Sequence, residues 1–151
     1  MKIVPDVFLY DGEERPMRPD NHYIWQDGRW MVDLDMAKAN TVKAILVSFE
    51  AALAAGFTTS LGIKMDAKDT DVAKFKNAYD LAQLSGKATM RIRDYNNDNH
   101  DNVPLADALK IMLETGGNYL GLWGLKNELV DQVAAAAMVE AVEAIKWPAS
   151  S

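Results

Sequence analysis

The hydrophobic positions of this chain change period several times, and each change marks an element. Around residues 22–34 the period is two. His22-Tyr-Ile-Trp-Gln and Arg29-Trp-Met-Val flank Asp27-Gly28. Asp-Gly suits a type I′ two-residue turn, since both central residues need positive φ. Counting outward pairs Gln26 with Arg29, Trp25 with Trp30, Ile24 with Met31 and Tyr23 with Val32. Tyr23, Trp25, Trp30 and Val32 then share one face. The tryptophan pair falls at a non-hydrogen-bonded site, where opposing side chains stand closest. Upstream, Lys2 to Tyr10 alternates loosely and ends in Asp11-Gly12, a strand and a turn, before an irregular polar link from Glu13 to Asn21.

From Asp33 the period becomes helical. Met36, Val42, Ile45, Leu46, Phe49 and Leu53 recur at threes and fours, with Asp33 or Asp35 as the cap and Gly56 as the stop. Phe57-Thr-Thr-Ser and Gly62-Ile-Lys-Met surround a turn and predict a short hairpin. Asp69 or Thr70 caps a second helix, with Val72, Phe75, Tyr79 and Ala82 inward and Ser85-Gly86 at its end. Lys87 to Tyr95 alternates again, with Ala88, Met90 and Ile92 on one face and Arg91 and Arg93 on the other. A polar loop is predicted over Asp94 to Asn102, then a short strand at Val103. Pro104 suits the start of a third helix lined by Leu105, Leu109, Met112 and Leu113. Gly116-Gly117 is expected to break it. The last helix is then predicted from about Asn118 to Lys146, with Leu122, Leu125, Leu129, Val133, Val139 and Val142 inward. Its length of about 43 Å is long for a small domain, so a kink or packing on another chain is expected.

This pattern predicts an α+β protein. An N-terminal β-rich segment (1–34) precedes a mainly helical domain (35–147) of about four helices with short β-hairpins, and residues 148–151 form a C-terminal extension. A chain of 151 residues buries roughly 70% of its unfolded surface and can hold a core without staples. The absence of cysteine excludes disulfides, a thiolate nucleophile and Cys-ligated zinc. A net charge of −6 argues against nucleic acid as a partner, because phosphate binding needs clustered Lys and Arg. No stretch approaches the ~20 apolar residues of a membrane span. The opening residues, with Asp6, Asp11, Glu13 and Glu14 after Lys2, do not form a signal-peptide pattern.

Chemistry is sparse. Asp94, Asn96 and Asp98 fit the first three ligand positions of a calcium loop. However, Asn99 stands where the turn glycine belongs and Leu105 where the closing glutamate belongs, so a polar reverse turn is the favoured reading. The two histidines, His22 and His100, belong to no H-E-x-x-H motif, and no phosphate loop or G-x-S-x-G elbow occurs. No cofactor is implied. A carboxylate pair working as in a glycosidase is the one enzymatic reading left open, and a non-enzymatic role is expected. The aromatic hairpin face (Tyr23, Trp25, Trp30) serves as a small core or partner-docking surface, or alternatively as a stacking platform in a glycan- or small-molecule-binding module. Gly121 and Gly124 are expected to let another helix approach Trp123, and the Trp123 helix is the second candidate for partner contact after the hairpin aromatics.

The order of these pieces resembles a family of uncharacterised domains in tailed-phage tail-fibre and tail-fibre-assembly proteins. The likeness covers roughly residues 22–147. It rests on Trp25-Gln-Asp-Gly-Arg-Trp30, Ala54-Ala-Gly-Phe57, Asp69-Thr-Asp71 and Arg93-Asp94. The Asp/Asn loop and the glycine-rich helix junction depart from it. The resemblance implies no catalytic residues. It implies other phage tail proteins as partners, with further copies of the chain as a second possibility. It also implies a location in the host cytoplasm during assembly and, for a retained component, in the virion tail. Residues 1–21 lie outside the likeness and would act as the adapter to a specific partner.

Overall fold

The computed structural model describes residues 7–10, 12–16, 19 and 23–150. The expected strand start at Lys2, Asp11 of the first turn, and His22 lie outside them. The described residues form an α+β fold of four helices and four antiparallel strand pairs. At the N-terminus β1 (Val7–Tyr10) pairs with β2 (Glu13–Pro16). The segment expected as an irregular link thus begins as a strand, because Gly12 takes φ 83° and closes the hairpin. Next, β3 (Tyr23–Gln26) pairs with β4 (Arg29–Val32) in the predicted register, Tyr23 with Val32 through Gln26 with Arg29. Asp27 and Gly28 have φ of 51° and 74°, as the turn requires.

Helix α1 (Leu34–Ala54) is capped by Asp33, whose carboxylate accepts from the amides of Asp35 and Met36. This satisfies two donors that have no partner inside the helix. Leu46, expected inward, is 43% exposed. Gly56 ends the helix at φ 73°, followed by the short pair β5 (Phe57–Thr58) and β6 (Lys64–Met65). Helix α2 (Asp69–Leu84) starts one residue earlier than expected. Lys68 holds the cap position without a side-chain bond, while Asp69 accepts from the Thr70 amide. The predicted loop of 94–102 is shorter than expected. Strand β7 (Thr89–Arg93) pairs with β8 (Asn99–Pro104) from Arg93 opposite Asn99 onward. A shift in register between Met90 and Ile92 puts Asp101 and Asn102 opposite Arg91, with Asn102 at φ 56°. This β-bulge accommodates a polar run that reads as loop.

The largest correction concerns the C-terminal helices. Helix α3 runs unbroken from Leu105 to Ala135, straight through Gly116-Gly117. The chain breaks instead at Ala136–Met138, and a short α4 (Val139–Ala144) follows. Glycine inside a helix costs only about 1 kcal/mol against alanine. Burial on both sides of the glycines outweighs that. Ala108 and Ile111 anchor one core with Met65, Tyr79 and Ile92. Leu129 and Val133 anchor a second with Ala37, Ile45 and Val142. Val32, Leu34 and Trp147 pack on the second core, which ties the N-terminal hairpin and the C-terminal residues to it. Helix α3, 31 residues long, is therefore a spine of about 46 Å shared by two cores. Leu113, expected to line the core, points outward and is 62% exposed.

Candidate functional site

Three places gather chemistry or unpaired surface, and each grows from a local feature of the sequence. The first is the aromatic hairpin. Trp25 and Trp30 meet edge to face at 5.1 Å between centroids, the geometry that the ring quadrupole favours. Tyr23, Trp25 and Trp30 are all half-buried. Much of their cover is internal. The Trp30 indole Nε1 donates to the Pro16 carbonyl at 2.7 Å, and the Arg15 guanidinium lies 5.3 Å from the Trp25 ring centre. Arg15 also bonds Glu13 at 2.9 Å. The end of β2 thus touches the β3–β4 face, a contact between segments that period counting does not disclose. Between this hairpin and the α3–α4 break lies an open cleft of about 660 Å³, lined by Tyr23, Arg29 and Trp30 on one side and Met138, Glu140 and Glu143 on the other.

The second place is the turn from Asp94 to Asp98. One Asp94 carboxylate oxygen accepts from the amides of Asn96 (2.9 Å) and Asp98 (3.0 Å). The other meets His100 Nε2 at 2.8 Å. The His100 bond, then the Asp98 amide, holds the Asp94 carboxyl below the usual carboxylate range. Both oxygens of the first calcium-loop candidate are therefore engaged by the turn itself. Asn96 and Asp98 are exposed. Among the described residues no three His, Cys, Asp or Glu stand together in a way that could hold a metal ion. The turn also projects Tyr95 onto its neighbours. Its hydroxyl donates to the Ala54 carbonyl at 2.9 Å, its amide donates to the Lys64 carbonyl at 2.9 Å, and Lys64 Nζ lies 4.0 Å from its ring centre.

Beside this turn, α2, β7 and α3 enclose a cleft of about 310 Å³. Its floor is apolar, with Val72, Phe75, Met90, Ile92 and Met112. Its rim carries Asp66, Asp71, Lys74, Arg91, Arg93 and Asp94. Thr115 also lines it. That residue is 4% exposed, and among the described residues its hydroxyl has no hydrogen-bond partner. Asp66, Asp71 and Asp94 bring to this cleft the residue type that a paired-carboxylate reaction uses. Asp94, held ionised, is unsuited to donate the proton that such a reaction needs. Arg91 is engaged by Asp101. Sequence reasoning missed this cleft because its residues come from three elements far apart in the chain.

The third place is the outer face of α3. Trp123 is 45% exposed, with Lys126 Nζ at 5.7 Å from its ring centre. The glycines beside it do not admit a helix of the same chain. A Cβ added at Gly117, Gly121 or Gly124 would meet nothing within 4 Å. Trp123 lies on α3 and the aromatic pair on the β3–β4 hairpin. No helix among the described residues is long and apolar enough to cross a membrane. No family model, no curated protein and no solved structure matches the chain.

Proposed function

We propose that this chain is a non-enzymatic component or assembly factor of a phage or prophage tail, acting through protein–protein contacts. The observation that carries the contact reading is the mixed cleft between the aromatic hairpin and the α3–α4 break. Arg29, Glu140 and Glu143 line it together with Tyr23, Trp30 and Met138, which supply apolar surface. Aromatic residues with a charged rim are the composition of protein-binding patches. The tail assignment rests on the resemblance of residues 22–147. Its partners are other tail proteins, met in the host cytoplasm during assembly.

The test is co-purification of the full chain with a panel of tail-fibre and tail-fibre-assembly proteins. The reading expects one of them to bind, and Tyr23→Ala and Met138→Asp each to weaken that binding by about tenfold or more. Retention of the complex by both variants would remove the cleft from the reading. Failure of every tail protein of the panel to bind would remove the tail assignment.

One observation favours a second reading, a small-molecule-binding module. The unpartnered Thr115 hydroxyl in an apolar-floored cleft is the sort of group a ligand satisfies. This reading uses the α2–β7–α3 cleft rather than the aromatic platform. A ligand screen by thermal shift separates the two, because a hit lost in Thr115→Val belongs to the cleft. A glycan hit lost in Trp25→Ala belongs to the hairpin.

A further inference from the structure

Strand β7 has one edge paired and one edge open. Along a strand, the N–H and C=O of one residue face one edge and those of the next face the other. The Ala88 carbonyl accepts from the Leu105 amide at 3.1 Å, and the Asp94 amide donates to the Asp98 carbonyl at 3.0 Å. Leu105 and Asp98 flank β8, so the even-numbered residues of β7 face that strand. Arg91 and Arg93 therefore turn their backbone groups to the opposite edge. Tyr95 shares their parity, and its amide donates there to the Lys64 carbonyl of β6 at 2.9 Å. Strand β6 ends at Met65 and covers only that end of the edge. Among the described residues β7 pairs with β8 alone, and no backbone group bonds to Arg91 or Arg93 on the open edge.

This edge is one wall of the α2–β7–α3 cleft, because residues 90–94 line the cleft without a gap. Side chains of a strand alternate between two faces, so an unbroken run lines a cavity along its edge. Asp71, Phe75 and Ala78 of α2 also line the cleft. Its floor holds the Thr115 hydroxyl, shut off from solvent and without a partner among the described residues.

We infer that the cleft takes an extended peptide segment of a partner protein, added beside β7 as the strand that β6 leaves unfinished. This names the ligand for the cleft of the second reading and rests on that reading of the cleft. The tail reading, which uses the hairpin, is separate. The edge selects the ligand class. Donors and acceptors on alternate residues, Arg91 and Arg93, match the repeat of another peptide backbone. Alternate side chains of the segment then enter the floor, apolar ones against Phe75, Met90 and Met112 and a hydroxyl-bearing one at Thr115. Charge narrows the class. Arg91 is held by Asp101, and Asp94 by His100. Lys74 and Arg93 remain, with Asp66 and Asp71, and none of these four has an ion-pair partner among the described residues. This balance suits a segment of no net charge. A second folded copy does not fit, because its own β7 edge is walled by its own α2, whereas a lone strand enters.

The probe is the blocked pentapeptide Val-Lys-Thr-Glu-Val, which sets Val, Thr and Val on one face and carries no net charge. The full chain binds it with a Kd of about 100 µM. At about 1 mM peptide, hydrogen exchange at the Arg91 and Arg93 amides slows about tenfold, while the Met90 and Ile92 amides, which face β8, hold steady. Methylating the peptide's backbone nitrogens keeps every side chain and abolishes binding. Ala78→Arg, at an exposed position of the cleft lining that leaves the fold intact, weakens binding about tenfold or more. No binding at about 1 mM overturns the inference. So does binding that leaves the Arg91 and Arg93 amides unprotected, survives N-methylation, or persists in Ala78→Arg. A small-molecule hit lost in Thr115→Val, with no peptide bound, keeps the second reading of the cleft and overturns this one.

Discussion

Gly56 ends α1 where three segments meet, and replacing it by alanine tests how those segments are joined. Two costs arise. The first is conformational. At φ 73° a residue with a Cβ crowds its own carbonyl, which costs roughly 1–2 kcal/mol. The second is spatial. The added Cβ would stand 2.6 Å from Tyr95 Cδ2 and 2.8 Å from the Met65 carbonyl oxygen, so something must move. The ring is not free to swing away, because its hydroxyl is bonded to Ala54 and its amide to Lys64. Displacing it forfeits about one hydrogen bond, 0.5–1.5 kcal/mol. Gly56→Ala is therefore expected to destabilise by about 1.5–3.5 kcal/mol, a large part of the ~5–15 kcal/mol typical of a whole domain. Gly62 supplies the control. Its φ is 78° but nothing lies within 4 Å of its Cβ, so Gly62→Ala should show only the conformational 1–2 kcal/mol. Urea titration followed by circular dichroism reads the difference as a larger shift in midpoint for Gly56→Ala at unchanged slope. On a Tyr95→Ala background the Gly56→Ala penalty should fall by about 1 kcal/mol, since the ring contact is gone. Equal penalties at Gly56 and Gly62, within about 0.5 kcal/mol, would refute the spatial argument.

Other outcomes follow from the same structure. Asp94 has a folded pKa below its ordinary value because of His100 and the turn amides. Its contribution is thus present above the unfolded pKa of about 3.9 and is lost as pH falls through the depressed folded value. The stability gap between the parent and Asp94→Asn should hold from pH 7 to about 5 and close below about 4 in acid titrations of unfolding. Ile111, fully buried between α2 and β7, should cost about 2–5 kcal/mol as Ile111→Ala by chemical denaturation. Trp30→Phe keeps the ring contact but deletes the bond to Pro16. Hydrogen exchange should then show reduced protection of the β1–β2 amides with little change in α1. Glu114 binds the amide and hydroxyl of Ser60 at 2.7 and 2.5 Å, so Glu114→Ala should raise exchange at the Ser60 amide ahead of the rest of the chain.

Much of the fold was legible because it is local. The Asp27-Gly28 register follows from turn geometry within ten residues, and the Asp33 cap and Gly56 stop of α1 follow from backbone groups within one turn. The helical period of α2 and the alternation of β7 depend on a single buried face each. Where tertiary contacts compete with local signals, the local reading went astray. Gly116-Gly117 looks like a helix break, yet two cores, one at each end of α3, hold the glycines in a continuous helix. The run from Asn99 to Asn102 looks like loop, yet pairing with β7 and a bulge at Asn102 make it strand. Leu113 looks like core, yet α3 turns Ala108, Ile111 and Thr115 inward, which leaves Leu113 outside.

The candidate sites divide the same way. The amino-acid sequence by itself determined the aromatic face of the hairpin, since Tyr23, Trp25 and Trp30 need only period two and a turn to come together. It determined the Asp94 turn, whose bonds span six residues. Only the tertiary structure decided that Arg15 and Pro16 lie over the tryptophans, that Thr115 stands unpartnered in a cleft of three elements, and that Gly117, Gly121 and Gly124 face open space. Those facts depend on which segments meet across long stretches of chain. That is settled by the joint burial of apolar surface, not by any residue's neighbours in sequence.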